Sequence, residues 1–182
     1  MNTMFKYAAP HKLKIFLVGT LLSIIIMQYT GHPLKTPTTT GGILSLEFAD
    51  TKTKVQSIYD AWQATNTRGR TNISQARINT YWDFVFIFFY SALFFFWNWI
   101  SAQNPVNNKY LGKAAALLSI IAGTLDVIEN LGMLKSLNGN ISDATADMTS
   151  LCATIKFSLL GISVLILMVQ RFRIWRSRSG LA

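Results

Sequence analysis

A single cysteine, Cys152, leaves no intramolecular disulfide to form, and the absence of a Cys-x-x-Cys pair excludes thiol redox chemistry. Histidine is nearly as scarce. His11 and His32 both lie outside the apolar segments, so no histidine-built zinc or haem site is expected within a membrane span, and no metal or cofactor is expected at all. There is no phosphate loop, no nucleophile motif, and no internal repeat with a period of roughly 20 to 50 residues. Charge is sparse as well: 14% of residues are charged against 51% hydrophobic, and the mean hydropathy is +0.31. That balance is too apolar for an ordinary soluble domain, and 182 residues leave room for one domain.

What the chain has instead is apolar runs, read as four spans at about 13–30, 79–101, 111–134 and 151–170. The expected class is all-α, a membrane-embedded four-helix bundle forming one transmembrane domain. The first run, Leu13 to Met27 behind Lys6, Lys12 and Lys14, has the outline of a secretory signal. A cut after Gly31 would place the bulky Tyr29 where a small residue is needed, so the run is read as a retained span. The second span is aromatic through its length, with Tyr81 and Trp82 at one end and Trp97 and Trp99 at the other, the pattern of an interfacial belt. A polar loop is expected from Lys135 to Thr149.

Between the first two spans, Pro33, Pro37, a threonine run and Gly41-Gly42 predict irregular chain. Asp50 and Thr51 then cap a helix over 50–63 in which Val55, Ile58, Tyr59 and Trp62 fall at i, i+3, i+4 and i+7. This amphipathic helix, about 20 Å long, is too short to span and is expected to lie over the mouth of the bundle as a lid. Asn72-Ile-Ser74 and Asn140-Ile-Ser142 match the glycosylation acceptor pattern, a three-residue match near chance.

The chemistry concentrates in the third span. Asp126 and Glu129 are three apart and Asp126 and Asn130 four apart, so all three point to one helix face. Upstream that face is small or polar, through Gly112, Ala115, Ser119, Ala122 and Gly123, the surface a span offers to other helices rather than to lipid. Asp83 lies one turn inside the second span, on a face with Ile87, Tyr90, Phe94 and Asn98, and Lys156 lies about two turns inside the fourth. An ionised side chain at mid-membrane costs about 2.5 to 3.5 kcal/mol, so these groups should be paired or face a wet cavity. Lys156 is expected to pair with Asp126 or Glu129, and Asp83 to cap or pair with Arg77. Glu47 is read as a solvated loop carboxylate, with an inward turn as the alternative. If the carboxylates outnumber the lysine inside the membrane, one of them is protonated or serves a ligand, cation or proton.

The runs Gly41-Gly-Ile-Leu-Ser-Leu-Glu47-Phe-Ala49, Ala61-Trp62 and Leu125-Asp126-Val-Ile-Glu129-Asn130-Leu resemble those of small uncharacterised bacterial four-helix integral membrane proteins. The resemblance covers most of the chain from residue 40 onward. It implies four spans and a bacterial inner (cytoplasmic) membrane, and it carries no activity. Three functions compete. The first is a non-enzymatic module with a polar cavity in the outer leaflet that binds a lipid or small hydrophobic ligand, or serves as an accessory subunit with protein partners in the membrane. The second is an intramembrane enzyme acting on a lipid, with Asp126 and Glu129 as acid and base and Tyr90 or Asn130 orienting. The third is a small ion- or proton-coupled transporter.

Net charge is +9, which in a soluble protein would suggest nucleic acid. Here the lysines and arginines flank the apolar runs, so no nucleic-acid partner is expected. With four spans the termini share a side with the 102–113 loop, and that side carries Lys6, Lys12, Lys14, Lys109, Lys113, Arg171, Arg173, Arg176 and Arg178 in short flanks. Lys35, Lys52, Lys54, Arg68, Arg70, Arg77 and Lys135 are spread more thinly on the other. The positive-inside rule then puts both termini in the cytoplasm. A cysteine introduced at Gly139 should react with an impermeant label added outside intact cells, and one at Asn107 should not; the reverse pattern would refute this topology.

Overall fold

The computed structural model describes residues 3–179, with side chains from residue 13, so Lys6, Lys12 and His11 of the first flank lie outside the described side chains. The chain is all-α and contains α1 (Thr3–Gly31), α2 (Ile43–Glu47), α3 (Lys52–Gln63), α4 (Asn72–Ala102), α5 (Lys109–Leu137) and α6 (Asp143–Arg178). Four of these helices, α1, α4, α5 and α6, are long and apolar enough to cross a membrane. The starts follow side-chain caps. Thr51, Thr71, Asn108 and Ser142 each accept a hydrogen bond from a backbone N–H in the first turn of α3, α4, α5 and α6 respectively, satisfying donors that a helix N-terminus leaves open.

α1 packs chiefly on α4, α4 on α5, and α5 on α6. The small face of α5 lies inside this arrangement, with Gly112, Ala115, Ser119, Ala122 and Gly123 all buried. Gly123 shows why small residues are needed: a Cβ there would collide with Ser91 Oγ of α4. Deeper polar contacts tie the same helices. Asn98 donates to Ser163 Oγ at 3.0 Å, and Ser119 and Ser163 hydroxyls meet at 2.8 Å.

The link expected as a polar loop from Lys135 to Thr149 is much shorter. α5 continues to Leu137 and α6 begins at Asp143, because Ser142 caps the helix and Asp143 places an acid in its first turn. The polar residues between 143 and 149 are helical, with Ala146 and Thr149 buried and Asp143 receiving the Lys52 N–H at 2.8 Å. Asn72 is fully buried and donates to the Pro33 carbonyl at 2.7 Å, which removes it as a glycosylation acceptor in the folded chain.

The apolar core sits at the end of the bundle where α2 and α3 pack. Leu34, Leu46, Val55, Ile58, Trp62, Ile73, Met133 and Leu137 belong to it, with Tyr59 half-buried against it. Along α3, Lys54, Ser57 and Asp60 stay exposed. Trp62 is 0% exposed, and its Nε1–H donates to the Leu34 carbonyl at 3.0 Å and to Thr39 Oγ1 at 3.1 Å, so the indole holds the 34–39 turn as well as the helix. Trp62→Ala should lose about 3 to 5 kcal/mol of unfolding free energy in detergent, the range for truncating a buried large aromatic. Ser57→Ala on the exposed side should change it by less than about 0.5 kcal/mol. Similar losses at the two positions would mean that α3 is not anchored through this core.

Candidate functional site

Lys156 is the centre of the buried charged groups. Its ammonium lies 2.5 Å from Asp126 Oδ1, 2.8 Å from Glu129 Oε2 and 3.4 Å from Glu47 Oε2. The three- and four-residue spacings on α5 bring Asp126 and Glu129 to the face that meets α6. Asp126 is then satisfied on its other oxygen by the Tyr90 hydroxyl, which donates to Oδ2 at 2.7 Å. Asn130, one residue beyond Glu129, turns its Nδ2 to Asp83 Oδ2 at 2.8 Å. The whole set is withdrawn from solvent: Glu129 is 0% exposed, Asp126 4%, Lys156 5%, Glu47 6% and Asp83 7%.

Two expectations are corrected here. Glu47 is not a solvated loop carboxylate. Gly42, at φ 62°, makes the turn that few side chains tolerate, and the single-turn α2 that follows points Glu47 down to Lys156. Burial pushes the Glu47 carboxyl above the usual carboxylate range, and the Lys156 ammonium opposes that shift. Asp83 does not pair with Arg77. Arg77 Nη2 donates to the Leu137 carbonyl at 2.6 Å, at the end of α5, while Asp83, further along α4, meets Asn130.

A cavity of about 320 Å³ opens beside this cluster. Glu47, Asp83, Asp126 and Lys156 line its charged part, and Met27, Phe86, Phe157 and Leu160 line its apolar part between α1 and α6. Glu129 is not on the wall. It stands behind Lys156 and holds the ammonium, whereas Asp126 shows the cavity a carboxylate whose oxygens are already engaged by Lys156 and Tyr90. Among the described residues no group of three or more His, Cys, Asp or Glu side chains is arranged to hold a metal ion.

Asn79 is a site residue that the sequence reading missed. It is 1% exposed, and its Nδ2 donates to the Met27 carbonyl at 2.9 Å and to Thr30 Oγ1 at 2.7 Å. Those acceptors fix the amide orientation and leave Oδ1 without a hydrogen-bond partner. The signal was available as periodicity: Asn79, Asp83, Phe86 and Tyr90 fall at i, i+4, i+7 and i+11 on α4, and all four line the cavity. Of the α3 positions expected to cover the cluster, Val55, Ile58 and Trp62 are buried in the apolar core, and none of them is on the cavity wall.

Comparison of the chain with protein-family models, curated proteins and solved structures finds no match.

The geometry gives the lysine a measurable weight. Removing Lys156 alone should strand buried carboxylates and cost about 3 to 5 kcal/mol of stability, and neutralising a partner as well should recover part of it. Unfolding of Lys156→Met, Asp126→Asn, Glu129→Gln and the two double variants tests this. Coupling below about 0.5 kcal/mol in both cycles, the level expected of independent sites, would show that the contacts contribute nothing to the fold.

Proposed function

We propose that the chain is an integral membrane protein that binds an amphiphile, a lipid or small hydrophobic ligand, with its polar head at the acidic cluster and its apolar part between α1 and α6. The observation that carries this reading is the composition of one cavity wall, charged where Glu47, Asp83, Asp126 and Lys156 meet and apolar at Met27, Phe86, Phe157 and Leu160. Its volume of about 320 Å³ is at the lower end of small-molecule pockets, enough for a headgroup and the first part of a chain. Four helices able to cross a membrane support this reading: in a bilayer such a wall is next to lipid, which is then both the source of the ligand and the partner of the exposed apolar surface.

In this reading the positive-charge bias sets both termini in the cytoplasm and the cavity in the outer leaflet of a bacterial inner membrane. The amphipathic helix α3 then lies at the membrane surface and supports the short α2 that closes the cavity from above. The enzyme reading is weaker because the acid/base pair it needs is already engaged: Glu129 is away from the wall and both Asp126 oxygens are hydrogen-bonded.

Purified protein examined by native mass spectrometry, with the extract analysed for lipid, should carry a bound amphiphile. Leu160→Trp, which fills the apolar part of the cavity, should release it while the protein remains folded. A wild-type protein that retains no amphiphile, or one that retains it equally with Trp at 160, would overturn the proposal; a co-purifying protein in its place would support the accessory-subunit reading.

A further inference from the structure

The acids of the cluster are unequally partnered. Asp126 and Glu129 receive the Lys156 ammonium at hydrogen-bond distance, whereas Asp83 accepts one hydrogen bond, from the neutral Asn130, and no cation among the described residues lies in ion-pair range of it. One turn earlier on α4 is Asn79, almost fully buried, which lines the same cavity and whose Oδ1 has no hydrogen-bond partner. Asp83 and Asn79 both line a space too large for a single ion, and each has an oxygen that accepts no hydrogen bond from the described residues. Their shared demand is for a positively charged group that donates several hydrogen bonds.

We propose that Asp83 and Asn79 form the seat of a primary ammonium headgroup carried by the amphiphile in this cavity. The proposal rests on the ligand-binding reading and names the class of its ligand. Charge selects a cation, since the cluster holds four carboxyl groups, Glu47, Asp83, Asp126 and Glu129, and the Lys156 ammonium reaches only three of them. Hydrogen bonding selects a primary amine over a quaternary one, because Asp83 Oδ1 and Asn79 Oδ1 need N–H donors that a trimethylammonium lacks. The absence of a metal-holding group among the described residues argues against a bound divalent ion in the same place. Lys35, exposed at the rim of the cavity, can meet a phosphodiester, which favours an ethanolamine phospholipid over a simple alkylamine as the source.

The test uses the full chain in a phosphatidylglycerol-based detergent mixture, titrated with dioleoyl lipids whose heads are ethanolamine, N-methylethanolamine, N,N-dimethylethanolamine and choline. Each methyl removes one N–H while the charge is unchanged. Native mass spectrometry should show affinity falling along the series, by about tenfold or more from first to last, because hydrogen bonds to a charged acceptor are worth more than neutral ones. Asp83→Asn should flatten the series, and Asn79→Ala should reduce its slope, with lipid still bound. Dodecylammonium competing as well as the ethanolamine lipid would support the ammonium seat with a free amine as its source; weaker competition would support the phospholipid. A flat series in the wild type overturns the ammonium assignment and leaves ligand binding intact, a result that needs no variant to fold. No binding of any lipid overturns both.

Discussion

The Lys156 ammonium is the constraint on which the arrangement of helices depends. A charge buried in a helical bundle has to be met by opposite charge and by acceptors for its protons, and the carboxylates that meet it come from two elements, α5 and α2. Asp126 and Glu129 bring α5 into register with α6, and Glu47 brings down the short α2. Tyr90 extends the tie to α4 through Asp126, and Asn130 extends it again through Asp83. These contacts need the backbones close, and small residues on α5 allow that, at Gly123 against Ser91 of α4 and at Gly132 against Thr149 of α6. Ion pair and close approach are therefore one design: a larger residue on that face would pull the carboxylates away from the lysine.

The two ends of the molecule are held by different physics. Among the four long helices the buried residues are largely small or polar, the composition expected of helices that cross a membrane, where hiding apolar surface gains little and packing and hydrogen bonds do the joining. Where α2 and α3 cover the bundle, Leu34, Leu46, Ile58, Trp62, Met133 and Leu137 form an ordinary apolar core. That core is what water would build. The change from one kind of interior to the other occurs at Glu47, which follows Leu46 in sequence: Leu46 joins the apolar core while Glu47 turns to the lysine.

Much of this was legible because period and composition report on it directly. The helix bounds of α3 follow from its cap and hydrophobic spacing, and the buried face of α5 follows from the small residues at helical intervals. The start of α6 was harder to read. Asp143, Asp147 and Thr149 are polar enough to suggest a loop when only lipid-facing hydropathy is considered, yet Ser142 is a strong cap and the first turns pack on α5 beyond the apolar run. Glu47 and Asn79 were lost for another reason. Each is placed by a tertiary contact, Glu47 by the Gly42 turn and the distant Lys156, Asn79 by carbonyl and hydroxyl acceptors on α1, and neither partner is near in sequence. Arg77 misled in the opposite way: it lies near Asp83 along the helix, but its guanidinium is committed to the Leu137 carbonyl.

Stability alone accounts for only part of the cluster. Lys156 needs counter-charge, and Asp126 with Glu129 supplies two carboxylates within 3 Å of it. A buried ion pair is in any case a poor means of gaining stability, since well-packed apolar replacements often do as well or better. Glu47 and Asp83 are then surplus to the lysine's requirement, and each adds a desolvation cost without a close cation of its own. The division follows the cavity. Glu129, the most buried acid, holds the lysine from behind, while the two least-compensated acids are both on the wall. An interior selected for packing alone would put its worst-satisfied groups nowhere in particular; here they border a space in which something other than the chain could satisfy them.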